Sequence, residues 1–154
     1  MKPVLIEYGS GITCIDTMYK QPGYAACYLL EQNNRAAFID TGTGNSVPLL
    51  LETLKQKNIN IDDVDYVIPT HVHLDHAGGA GLLMKELPNA KLVIHPRGAP
   101  HMIDTNKLIM GATAVYGKEK FKEYFGEVIA INKDRVISAD DNFEIKLANR
   151  TLKI

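Results

Sequence analysis

The sequence predicts an α/β protein, a mixed sheet flanked by helices, folded as a single domain over residues 1-154. Three observations predict it. Apolar runs separated by turn residues fill the N-terminal part, strand-like and helix-like patterns alternate through the middle, and short strand-like runs return from residue 127 onward. At 154 residues with 45% hydrophobic content, the chain can bury one sizeable core.

Taken in order, PVLIEY and ITCIDTMY read as short strands joined by a turn at Gly9 to Gly11. YAACYLLEQ and RAAFIDT form the next pair, a hairpin through Asn33-Asn34, because asparagine tolerates positive φ. After GTGNS, the run VPLLLETLKQKN reads as a helix: Ser46 is placed to cap it, Pro48 suits its first turn, and Val47, Leu50, Leu51 and Leu54 recur at helical spacing. Lys55 and Lys57 lie at its C-terminal end, where the helix dipole favours cations. VDYVIPT is a nearly continuous apolar run, suited to a strand buried on both faces. GAGLLMKELPNA reads as a helix stopped by Pro88, and KLVIH as another buried strand. Residues 98 to 125 read as irregular helix with glycine breaks, a lid or insertion, and EVIAI, RVIS, NFEIKL and RTLKI as closing strands with ANR as a hairpin turn.

The charge balance, 17 basic against 18 acidic residues and a net charge of -1, leaves no electrostatic footprint for nucleic acid and no polybasic membrane patch. Glu7, Asp16 and the glycines interrupt the N-terminal region before any signal sequence could form, and no segment approaches the ~18 apolar residues of a membrane span. A cytoplasmic protein with a small-molecule substrate is expected, without nucleic-acid or membrane partners. Cys14 and Cys27 have no paired spacing and read as buried thiols.

The chemistry concentrates in THVHLDHAGG, residues 70 to 79. On an extended segment His71, His73 and Asp75 would share one face, bringing two imidazoles onto one cation, while His76 swings back where strand gives way to helix. Asp75 and His76 can then serve a second cation. Gly78 and Gly79 suit a tight turn, and the N-terminus of the helix opening there would favour hydroxide or an anionic substrate group. A cation in such a site ionises water near neutral pH, roughly pKa 7 with zinc against 15.7 in bulk, so hydrolysis by a metal-bound hydroxide is the expected chemistry. His95 and His101 stand alone, each beside a proline, and read as exposed or locally bonded; His95 ends a strand and stays a candidate pocket residue. Tyr116, Phe121 and Tyr124 read as core at helical spacing, or as an apolar wall at a substrate entrance.

The motif THVHLDHAGG, together with AAFIDTG before it, resembles the metallo-β-lactamase superfamily. The resemblance implies half or the larger part of an αββα sandwich and a mono- or dinuclear metal site, one or two zinc ions with iron as the alternative. It implies that His71 and His73 serve the first metal, that Asp75 and His76 serve the second, and that Asp75 orients the nucleophile. Asp40 would sit behind these ligands and orient them, or serve as a turn aspartate before Gly42. The function implied is a hydrolase of esters, thioesters, lactones or amides. Iron-dependent persulfide dioxygenase chemistry and a non-catalytic metal-binding or assembly module are the alternatives. The Thr-Pro-Gly-His segment of the family is not found by Ile154, so a chain truncated before its C-terminal half is expected, with impaired activity and self-association through an uncovered sheet face.

Overall fold

A computed structural model describes residues 2–154. Its main sheet has seven strands whose spatial order follows the chain: β1 (Leu5–Gly9), β2 (Ile12–Asp16), β3 (Ala26–Gln32), β4 (Arg35–Ile39), β5 (Val64–Ile68), β6 (Lys91–Ile94) and β7 (Val136–Ser138). Strands β1 to β4 pair antiparallel, and β4 to β7 pair parallel. Each parallel step requires a crossover, supplied by α1 (Val47–Gln56), by α2 (Leu74–Ala77) with α3 (Ala80–Glu86), and by α4 (Ala99–Ile103), α5 (Asn106–Tyr116) and α6 (Lys118–Phe125). A separate hairpin, β8 (Glu144–Leu147) and β9 (Arg150–Lys153), ends the chain. The mixed sheet flanked by helices is the predicted class.

The period-two pattern of the strands divides the sheet into two faces. Ile15, Cys27, Leu29, Phe38, Val67 and Leu92 point to one face and bury against Leu50, Leu54, Leu83 and Met84 of α1 and α3. On the other face, Ala37, Ile68 and Val93 are covered by Ile145 and Leu147 of β8. The hairpin touches the β1–β2 turn, where Arg150 Nη1 donates to Ser10 O at 2.7 Å, but leaves Val4, Ile6 and Tyr8 55%, 54% and 63% exposed. Cys14 and Cys27, far apart in sequence, sit on adjacent strands one register step apart, so they face opposite sides of the sheet and remain free thiols. Cys27 is the buried one, and burial pushes its thiol pKa up, whereas Cys14 is only half-buried.

Asn33 and Asn34 both adopt positive φ in the β3–β4 turn, as their residue type predicts. Four local expectations are corrected. Ser46 does not cap α1 through its side chain; a short 3-10 turn at Gly44–Ser46 precedes the helix, and the Ser46 hydroxyl donates to the Thr17 carbonyl. Lys57 serves the sheet rather than the helix dipole, pairing with Glu7 at 2.7 Å and Glu31 at 2.9 Å. The helix read from Gly79 starts earlier, at Leu74, and comes in two pieces. EVIAI is not a strand: a Cβ on Gly44 would meet Glu127 O at 2.4 Å and one on Gly81 would meet Ile129 O at 2.1 Å, so this segment lies across the helices and buries Val128 and Ile131 there. No helix among the described residues is long and apolar enough to cross a membrane.

Candidate metal centre

β4 and β5 are parallel neighbours, so both deliver the chain to the same edge of the sheet, the carboxyl edge where α/β proteins place their ligands. β4 ends at Ile39, and the next residue, Asp40, turns with a left-handed φ of 59° while its N–H donates to Ile68 O at 3.0 Å. β5 ends at Ile68, and the motif begins two residues later as irregular backbone. The extended geometry expected for His71 to Asp75 is thus not adopted. His73 is the last extended residue, at φ -58° and ψ 141°, and Asp75 and His76 stand on the single turn of α2. That turn has four residues, too few for the helix N-terminal field expected from the sequence.

Turn geometry, rather than strand alternation, gathers the imidazoles. The ring centroids of His71 and His73 are 4.7 Å apart and those of His71 and His76 4.2 Å apart. Asp75 Oδ2 lies 3.6 Å from His76 Nε2. Partial burial, then the proximity of His76 and His73, push the His71 pKa down, which keeps the ring in the neutral form that binds cations.

Asp40 is buried behind the rings. Its Oδ1 accepts from Thr70 N at 2.7 Å, and its Oδ2 lies 2.9 Å from His76 Nδ1. A carboxylate can only accept, so the His76 proton sits on Nδ1 and leaves Nε2 free. The Thr70 hydroxyl contacts both Asp40 oxygens, at 2.9 and 3.0 Å, and lies 3.0 Å from His71 Nδ1. Having one proton and giving it to Asp40, the hydroxyl must accept from His71 Nδ1–H, which frees Nε2 of His71 too. One carboxylate therefore orders both rings, one directly and one through threonine.

The motif is also tied to the segment after β4. Thr41 N and its hydroxyl both donate to His76 O, at 2.7 and 3.0 Å, and Gly79 N donates to Gly42 O at 2.9 Å. The packing is tight at Gly79 of the motif and at Gly42 of the segment. A Cβ on Gly79 would meet Thr43 O at 2.6 Å; Gly42 has a φ of 66°, and a Cβ there would meet Ser46 Oγ at 2.5 Å. Gly79 is thus needed for its size and not for a tight turn, since Gly78 and Gly79 both adopt ordinary helical φ.

Among the described residues, the set of three donors whose ligand atoms all lie within 4.8 Å of one another is a different one: His95, Asp140 and Asp141, all exposed. Its chemistry argues against a metal site. His95 Nδ1 accepts from Arg97 N at 3.1 Å, which places the ring proton on Nε2, the atom that faces Asp140 at 3.8 Å. The motif, with free Nε2 lone pairs on His71 and His76, is the better fit to a cation. His101 lies on α4, outside both groups.

A pocket of about 270 Å³ adjoins the motif, lined by Asp75 and Leu74 together with Tyr19, Lys20, Tyr24 and Tyr116. A larger groove of about 1310 Å³ contains none of the motif residues and meets the pocket only at Tyr19 and Lys20. Tyr116 forms pocket wall and Tyr124 lines the larger groove, and both pack with Phe121 on Phe125, at centroid distances of 5.4, 6.4 and 5.5 Å. Sequence reasoning assigned no role to Thr70 or to the 17–20 loop. The place of Thr70 just before His71 was the only signal for the first; the second had none.

An α/β fold with a histidine-rich centre at the carboxyl edge of its parallel strands is the class that architecture and site define. The chain belongs to the metallo-beta-lactamase superfamily, whose family model matches residues 21–140. Proteins of this superfamily bind metal ions, commonly zinc. The chain is 38% identical over 73 residues to a probable hydroxyacylglutathione hydrolase of Schizosaccharomyces pombe, a match covering 47% of this chain and 27% of that protein. It is 31% identical over 80 residues to a probable metallo-hydrolase of Methanocaldococcus jannaschii, covering 52% of this chain and 37% of the relative. A metallo-beta-lactamase structure from Cronobacter sakazakii, a HARLDQ motif mutant, superposes with a TM-score of 0.69 at 21% identity, over 99% of this chain and 53% of the other. The chain thus spans about half the length of that structure, and the matches cover about a third of the curated relatives.

Proposed function

We propose that the protein is a metal-dependent hydrolase of ester, thioester, lactone or amide bonds, in which His71, His73, Asp75 and His76 hold one or two zinc ions, or iron. The observation that carries this reading is the Asp40–Thr70–His71 and Asp40–His76 network, which fixes both imidazoles with Nε2 unprotonated and is the arrangement that orients metal-bound histidines. A bound divalent cation would lower the pKa of its water toward ~7 and polarise the substrate carbonyl. Asp75 orients the attacking water and takes up its proton; Asp40 and Thr70 hold the rings; Leu74 and the tyrosines of the adjoining pocket exclude bulk water from the acyl group. A hydroxyacylglutathione hydrolase among the similar proteins favours a thioester within this class. The free thiols suit a cytoplasmic setting.

Calorimetric titration tests the site and the reaction separately. Zinc binding is expected to weaken in His73→Ala, and cation-loaded protein to hydrolyse thioesters or lactones faster than the cation alone. Cation-independent turnover, or none, would overturn the hydrolase reading; iron at one per chain with oxygen uptake on a persulfide would replace it with the dioxygenase, and binding without turnover with a non-catalytic module.

Self-association is proposed through the open row Val4, Ile6 and Tyr8, which continues the apolar face that β8 covers further along the sheet. Light scattering is expected to show oligomers that Ile6→Lys dissociates. A wild-type chain that stays monomeric across concentration rejects the interface.

A further inference from the structure

Lys20 is an exposed cation held in one place. Its ammonium lies 4.6 Å from the Tyr124 ring centroid, 5.1 Å from that of Tyr19 and 5.4 Å from that of Tyr116. The backbone beneath it is constrained as well: Met18 and Lys20 both adopt left-handed φ, at 55° and 59°, on either side of the buried Tyr19. Non-glycine residues persist in that region only where their surroundings hold them. Tyr19 is held by stacking on Phe125, at a centroid distance of 5.8 Å.

The ring faces attract the ammonium and the Tyr19 side chain also hydrogen-bonds it, but a neutral phenol supplies no counter-charge. Among the described residues no carboxylate comes within ion-pairing distance of Lys20, in contrast to Arg35 and Lys57, each of which engages two. The cation is therefore positioned and left without an anion. It stands on the rim of the pocket that contains Asp75, so the pocket has a negative group in the motif and a positive group on its rim. A substrate with an anionic end is drawn to Lys20, which turns its other end, the acyl carbonyl, toward the motif at the other side of the pocket.

We propose that Lys20 recognises a carboxylate at the end of the substrate remote from the bond that is cleaved. The substrate class is then an ester or thioester with an apolar body and an anionic terminus. The assignment rests on the hydrolase reading for the bond that is cleaved, but the binding of the anion does not. The competing role for Lys20 is a clamp that pins the 17–20 loop to α5 and α6 through their tyrosines.

The test titrates 3-phenylpropanoate and its uncharged analogue 3-phenylpropanamide calorimetrically into the metal-free full chain. The carboxylate is expected to bind about tenfold more tightly than the amide, the size of a charge-assisted hydrogen bond. Lys20→Met is expected to abolish the preference and Lys20→Arg to keep it. Added salt should weaken the preference in the wild type, a readout independent of any variant's folding. Equal affinities in the wild type, a preference insensitive to salt, or one that survives Lys20→Met in a folded variant would overturn the proposal and leave the clamp. In cation-loaded protein, Lys20→Met is expected to raise KM about tenfold for a carboxylate-bearing thioester, with kcat and the neutral thioester unaffected. Absence of turnover with the binding preference intact would reject the hydrolase reading and leave the anion site standing.

Discussion

Asp40→Asn is expected to lower the affinity of the motif for a divalent cation about 10- to 100-fold while the chain stays folded. Asparagine suits the left-handed φ of 59° and nearly matches aspartate in volume, so the backbone has no reason to move. It can still accept from Thr70 N through its amide oxygen. What it loses is the negative charge and the second acceptor. His76 Nδ1 then faces an amide nitrogen or competes with Thr70 for the single oxygen, so the tautomer with Nε2 free is no longer enforced. His71 is affected through Thr70, whose hydroxyl now has a weaker acceptor. Asp40→Ala is expected to do more: it leaves Thr70 N without its partner at a partly buried site and puts a residue ill suited to left-handed φ in the turn, costing about 1–3 kcal/mol of stability. Zinc titrations of the two variants beside their urea unfolding curves check this. An Asn variant that binds zinc like the wild type would show that Asp40 is a turn residue and no more.

Arg135→Ala is expected to destabilise the chain by about 2–4 kcal/mol, which at this size lowers Tm by roughly 4–16 °C. The guanidinium of Arg135 donates to Met84 O at 2.7 Å and to Ala90 O at 2.8 Å, and also to Leu87 O. These carbonyls lie in the last turn of α3 and the bend that leads into β6, where no further helical turn supplies N–H groups. Alanine removes these donors from the carbonyls of buried residues; Leu87 O keeps a bond from Ala90 N at 3.3 Å, whereas Met84 O and Ala90 O lose the arginine's. Arg135→Lys should recover only part of the loss, because a single ammonium cannot reproduce the planar fork. Thermal unfolding of the three proteins decides the matter; a variant within about 1 °C of the wild type would mean that water replaces the arginine at no cost, against the usual penalty for an orphaned carbonyl.

Neither contact set could be read from the order of residues. Arg135 and Met84 are 51 positions apart, and Asp40 and His76 are 36 apart. Local pattern was enough where local forces decide. The Asn33-Asn34 turn, the apolar stripe of α1, the helical 98 to 125 region and the pairing of β8 with β9 all follow from φ preference or hydrophobic period. It failed where a segment's apolar residues had a partner other than the expected one. EVIAI has the apolar run of a strand and buries Val128 and Ile131, yet what they bury against is helix. Ser46 has the residue type of a cap, but the Thr17 carbonyl was nearer at hand.

The motif shows the same division at the scale of the site. Residue type and spacing in THVHLDHAGG single out four side chains able to donate to a cation, because imidazole and carboxylate in such density have few other uses. Their geometry was decided elsewhere. The parallel pairing of β4 with β5 sets Asp40 beside Thr70, the single turn of α2 brings His76 to within 4.2 Å of His71, and the 17–20 loop sets Lys20 on the rim of the adjoining pocket. Side-chain chemistry is a property of each residue and is carried by the sequence; proximity between residues far apart in the chain comes only from strand order and packing.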